Sequence, residues 1–285
     1  MVQRVGLVIG GTRGIGKALV AALADHWGDQ GLVYFTAREG SDGVAVREEL
    51  MASGTRNIDF HVFDLAEPGD PSRIARAIES AHGGIDVVVQ NGAYMPRAGH
   101  DAADDARPMI AANSHGTLRV MTAFLPLLRE NGRLVVVASA MGVLKNLPEY
   151  LWPAFDSKRC SPADINAAID RYVAAVEAGE AANQGWPEWV NIPSKVAQVA
   201  LTRAFAREAR ESGQLPEGAS INAACPGVAL TDATREFMGT VFKREDAQTP
   251  EEAADGLMGL LIEDGIGSRV NGELVQHGKI IPFME

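Results

Sequence analysis

The chain has 285 residues, 46% apolar and 22% charged, an ordinary globular mixture that buries a sizeable core and excludes disorder as its main state. Thirty-seven acidic against 26 basic residues leave a formal charge of −11, which argues against nonspecific binding to nucleic acid or to an anionic membrane. No apolar run is long enough to cross a membrane, no apolar leader follows Met1, and Cys160 and Cys225 are too few for a disulfide framework or a Cys-rich zinc site, so a soluble, cytoplasmic, metal-free chain is expected.

The first predicted strand, Val5–Ile9, runs into Gly10-Gly11-Thr12-Arg13-Gly14-Ile15-Gly16 and then into a helical pattern over Ile15–Trp27. Strand, glycine turn and helix together are the context in which glycines let a backbone approach a pyrophosphate on the positive end of a helix, so dinucleotide binding is expected. The second strand, Leu32–Thr36, ends at Arg38, where an acid would select a ribose 2′-hydroxyl. Arg13 in the turn adds a second cation. Two planar guanidiniums suit a 2′-phosphate, which favours NADPH/NADP+.

Helix Val44–Ala52, strand Ile58–Phe63, helix Pro71–Ala81, strand Ile85–Val89, helix Pro108–Leu128 and strand Leu134–Ala138 follow in alternation. Continuous runs such as Val87-Val88-Val89 and Leu134-Val135-Val136-Val137 predict strands covered on both faces. The rhythm then breaks. From about residue 141 to 190 the chain carries Trp152, Trp186, Trp189, Tyr150 and Tyr172, with one helical stretch, Pro162–Ala178, capped by Ser161 and Asp164. An insertion of this size with its own structure is a substrate lid or a packing appendage. Helix Ser194–Ser212, strand Ser220–Ala224, helix Pro250–Glu263 and strand Leu274–Gln276 complete the pattern. The reading is α/β: one Rossmann-type, doubly wound parallel sheet of about seven strands over residues 1–285, with a helical insertion before the helix that Lys195 opens.

Along nearly its whole length the sequence resembles the short-chain dehydrogenases/reductases. The glycine turn matches, and Asp64-Leu65 stand where that family has its adenine-contacting pair. Gln90-Asn91-Gly92-Ala93 stands in place of Asn-Asn-Ala-Gly, so Asn91 fits while its neighbours are exchanged. The resemblance implies a structural, water-holding role for Asn113, a catalytic role for Ser139, and placement of the nicotinamide by Lys195. It makes Gly10, Thr12, Arg13, Gly14, Ile15, Gly16, Arg38, Asp64, Leu65, Asn91, Gly92 and Lys195 the cofactor residues. Pro226, Gly227, Val228 and Thr231 join them from the sixth-strand exit, Cys225-Pro226-Gly227-Val228. The insertion, with Gly185-Trp186-Pro187, looks like that of the carbonyl reductase branch, where it covers a face that other members use for tetramer assembly, which implies a monomer.

One departure matters most. The family motif is Tyr-x-x-x-Lys, and four residues before Lys195 this chain has Asn191, with no tyrosine after Tyr172. An amide donates a hydrogen bond but gives up no proton near neutral pH. A positioned general acid contributes about 10²–10⁴ in rate. A substrate that brings its own acid does not need one: an aromatic ketone with a hydroxyl peri to the carbonyl delivers the proton from within. Polycyclic polyketides of the angucyclinone type have this chemistry, and flat polycycles pack on Trp and Tyr faces. Among family members without the tyrosine, the chain most resembles angucyclinone ketoreductases of the simocyclinone kind. Tyr94 stands as a packing aromatic or a displaced donor, and His115 as structural. The rival readings are a catalytically silent NADP(H)-binding regulator and a non-redox dehydratase or isomerase on the same fold.

Overall fold

The computed structural model describes residues 4–97 and 99–284. Seven parallel strands form the sheet: β1 (Arg4–Ile9), β2 (Gly31–Ala37), β3 (Ile58–Val62), β4 (Ile85–Gln90), β5 (Leu128–Val137), β6 (Ser220–Ala224) and β9 (Leu274–Gln276). Their spatial order is β3-β2-β1-β4-β5-β6-β9, and an eighth strand absent from the sequence reading, β10 (Lys279–Ile281), pairs antiparallel with β9 at the edge. A separate two-stranded ribbon joins β7 (Val228–Ala229) to β8 (Ala247–Gln248). The order reverses between β1 and β4, and there the strand ends open the crevice in which α/β sheets bind ligands.

Alternation along the strands sorts the core into two layers. Val5, Leu7 and Ile9 of β1 and Leu134 and Val136 of β5 pack against one set of helices, while Val8, Val135 and Val137 face the other. The second set is α1 (Gly14–Trp27), α2 (Gly40–Ala52) and α9 (Pro250–Leu261). The first is α3 (Asp70–His82), α4 (Ala102–Ile110), α5 (Thr117–Phe124), α6 (Pro162–Glu177) and α7 (Asn191–Glu211). A short α8 (Asp232–Arg235) lies in the segment after β7.

The single helix expected over Pro108–Leu128 is three pieces. Between α4 and α5 the chain widens into a π-helical turn, Ala111–Gly116, with i→i+5 pairing. Past α5 a 3₁₀ turn, Leu125–Leu127, leads straight into β5, which starts six residues before the expected Leu134. Asn131, at φ 61°, bends that strand's first part without ending it. The insertion behaves as its cap residues predict: Ser161 and Asp164 form a reciprocal capping box and α6 follows. α6 docks on α4 and α7, with Tyr172, Trp186 and Phe155 in the core.

Candidate active site

The glycine turn is shaped by close approach. A Cβ on Gly16 would stand 2.0 Å from the Gly10 carbonyl oxygen, and one on Gly10 would stand 2.6 Å from the Gly92 Cα. Gly14 sits at φ 51°, and its Cβ would meet Thr231. The turn therefore has no room for a side chain at Gly10 or Gly16, and its close-set backbone at the start of α1 is a cradle suited to a pyrophosphate. Asn91 braces it from the next strand: its Nδ2 donates to the Gly10 carbonyl at 3.0 Å, and the Asn91 and Gly92 amides donate to the Ile9 carbonyl.

Thr12 and Ile15 are half-buried within the turn, and Arg13 and Arg38 are exposed at its rim. Among the described residues neither arginine has an ionic or hydrogen-bonding partner, so both guanidiniums are free to meet an anion. Asp64 caps the backbone amide of Ala66, while Leu65 is buried against Gly116 of the π turn. On the far side, the Pro226 carbonyl accepts from Gln248, Gly227 turns at φ 79°, and Val228 pairs with β8. The Thr231–Gly14 contact places this exit over the glycine turn.

α7 starts three residues earlier than the periodicity predicts, at Asn191, so Asn191 and Lys195 stack one turn apart on the same face. Pro193 lies in the first turn, where its missing N–H costs nothing. Asn191 is 1% exposed, and its Oδ1 has no hydrogen-bond partner among the described residues. Lys195 is 6% exposed; burial pushes its ammonium down to about 8. Ser139, half-buried at the end of β5, accepts from the Met141 amide at 3.1 Å. A Cβ on Gly142 would stand 2.7 Å from the Lys195 carbonyl, so the loop that carries Ser139 lies directly on the first turn of α7.

Asn113, in the π turn, uses both amide donors: Nδ2 donates to the Tyr94 carbonyl at 2.9 Å and to Ser194 Oγ at 3.2 Å, and Oδ1 accepts from the Tyr94 amide at 2.8 Å. It is a brace between the β4 exit and α7.

The four tyrosines lie elsewhere. Tyr94 donates to buried Asp105 at 2.7 Å, a bond that, with burial, raises its pKa; it is not a poised acid. Tyr150 donates to the Gln184 carbonyl at the surface, and Tyr34, on β2, meets His82 of α3 at 2.9 Å. Tyr172 is buried 4.9 Å from Trp186, and burial pushes its hydroxyl up. His115 pairs with Asp170 of α6 at 2.8 Å, the structural part expected of it. Trp189, at the end of the insertion, meets Phe237 at 5.8 Å and Phe242 at 6.2 Å, tying the insertion to the segment after β7.

Two buried amides escaped the sequence reading. Gln90 ends β4 and Gln198 lies on α7 three residues past Lys195; both are fully buried. The signals were present in Gln90 standing where an asparagine is usual, and in Gln198 set inside the apolar run Val196–Leu201.

A family model described as "short chain dehydrogenase" matches residues 4–151. Carbonyl reductase [NADPH] 3 of Mus musculus is 30% identical over 252 residues, covering 87% of this chain and 89% of its own. Carbonyl reductase [NADPH] 1 of Homo sapiens is 30% identical over 250 residues, 86% of this chain and 88% of its own. Among solved structures, salutaridine reductase from Papaver somniferum superposes with a TM-score of 0.78 at 21% identity, over 95% of this chain and 99% of that one. Menthone neomenthol reductase from Mentha piperita gives 0.76 at 20%, over 98% and 100%.

Proposed function

The chain belongs to the short-chain dehydrogenase family, and from that premise we propose that it is an NADPH-dependent ketoreductase acting on a flat polycyclic aromatic ketone of the angucyclinone type. The observation that carries the finer reading is Asn191: an amide one turn before Lys195, buried, with an acceptor oxygen that nothing among the described residues satisfies. A buried unpaired acceptor costs roughly 1–3 kcal/mol, so the site calls for a hydroxyl donor from outside.

In this reading Arg13 and Arg38 receive the 2′-phosphate, and the turn from Gly10 to Gly16 receives the pyrophosphate. Lys195 holds the nicotinamide ribose hydroxyls, and Ser139 donates to the substrate oxygen. When bound, NADPH supplies the hydride. As the carbonyl π pair moves onto oxygen, the peri-hydroxyl O–H breaks and the new alcohol O–H forms; the phenolate left behind takes a proton from water. Asn191 moves no proton: it accepts from a substrate hydroxyl and aligns the ring. Trp189, Phe237 and Phe242 supply aromatic faces for a polycycle. Retention of a buried lysine and of Ser139 on one side of the crevice supports a reductase over a regulator that needs the nucleotide half alone.

NADPH oxidation with a peri-hydroxylated polycyclic ketone beside its O-methyl ether tests this directly. We expect the free phenol to turn over at least about 10²-fold faster, the contribution of a positioned acid. Equal rates would sink substrate-assisted protonation.

A further inference from the structure

Lys195 donates from Nζ to Gln198 Oε1 at 2.9 Å. Gln198 donates from Nε2 to Thr117 Oγ1 at 3.2 Å and to Gln90 Oε1 at 3.4 Å, and Gln90 donates from Nε2 to the Gly92 carbonyl at 2.7 Å. The Thr117 hydroxyl in turn donates to the Asn113 carbonyl at 2.7 Å. Every side chain in this chain of bonds is buried. Its direction has no freedom. An ammonium only donates and a backbone carbonyl only accepts, so the two ends force both amides to point their oxygens toward Lys195 and their nitrogens toward the glycine turn.

We propose that Gln198, held in turn by Gln90, is a positioning residue that fixes the Lys195 ammonium and favours its charged state, so that Lys195 serves as a fixed cation for the dinucleotide rather than as a proton conduit. The argument is one of chemistry and geometry. The Gln198 oxygen, with the Gln90 amide dipole aligned behind it, opposes the desolvation that burial imposes on the ammonium. Amides neither take nor release protons near neutral pH, so the chain holds charge and conducts none. One of the three ammonium donors is spent on Gln198, leaving two for ribose hydroxyls. The device also explains why Gln90 replaces the usual asparagine: the longer side chain reaches Gln198. The inference rests on the dinucleotide reading above, but not on the identity of the ketone.

Cys225, at the β6 exit, is the titratable group that faces Lys195; burial raises its thiol, so it stays neutral until alkaline pH. The charge that fades as pH climbs from 7 toward 9 is then that of Lys195, and NADPH affinity is expected to fall through about 8. The experiment is an NADPH binding titration by nicotinamide fluorescence across this range, with no ketone present. Gln198→Met keeps length and removes the acceptor; its midpoint should move acid by about one pH unit. Gln198→Glu sets a carboxylate beside the ammonium and should move the midpoint alkaline by at least about as much. Gln90→Met, leaving Gln198 in place without its far anchor, should give a smaller acid shift. A structural role alone would weaken binding equally at every pH with the midpoint unmoved, and that result in the folded Met variants overturns the proposal even if Gln198→Glu fails to fold. Absence of NADPH binding in the unaltered protein would instead refute the dinucleotide reading.

Discussion

Arg38 shows how much one exposed side chain decides. It has no partner within the described residues, so its replacement costs the fold little. Arg38→Glu should lower NADPH affinity by roughly 10–100-fold, the size of a lost charge-assisted hydrogen bond. NADH affinity should hold or rise, because a carboxylate there accepts from a ribose hydroxyl. Side-by-side binding isotherms for the two nucleotides check this; an unchanged NADPH isotherm refutes the assignment. Asn191 and Arg38 were both legible in the sequence, since each stands at a fixed offset from a strong landmark, Lys195 or the second strand. Gln198 was not. A glutamine on a helix reads as a surface residue, and only the packed structure shows that the stretch from Pro193 to Thr202 is buried on every side.

At the scale of elements, local signals fared unevenly, and the reason is physical. The Ser161–Asp164 capping box and α6 followed from side-chain chemistry within four residues. The π turn at Ala111–Gly116 did not, because apolar spacing alone does not distinguish one wide turn from two ordinary ones. The early start of β5 was hidden by Asn131-Gly132, a pair that reads as a turn. α6 is held by Trp186 wedged between Tyr172 and Phe155, with ring centroids at 4.9 and 6.2 Å. Trp186→Ala should cost about 3–5 kcal/mol and lower the melting temperature by on the order of 10 °C in a thermal denaturation scan. A loss of only a degree or two would mean that α6 docks by other contacts.

For the molecule as a whole, the insertion is the basis of the monomer we propose. α6 lies across α4 and α7, secured by Arg107–Glu177, in which both carboxylate oxygens accept at 2.6 Å, by His115–Asp170 and by the buried Ser114–Asn166 bond at 2.8 Å. With that face covered and a formal charge of −11 opposing association, sedimentation equilibrium should return a single species near the chain mass of 30.3 kDa. A dimer or tetramer at micromolar concentration would refute the monomer proposed here. The doubly wound sheet itself was readable from alternation, since strands covered on both faces write their burial as unbroken apolar runs.

The π turn carries a consequence for how the chain tolerates changes in length. A π turn is in effect an ordinary helical turn with one residue added. A chain one codon shorter within residues 111–116 has the means to close a regular helix while α4 and α5 keep their packing partners. What such a deletion removes is the aim of Asn113, and with it the clasp between the β4 exit and the first turn of α7. Stability and site geometry are thus separable at this one place in the helix, where a gap in an aligned relative would mark a rewired site on an intact scaffold.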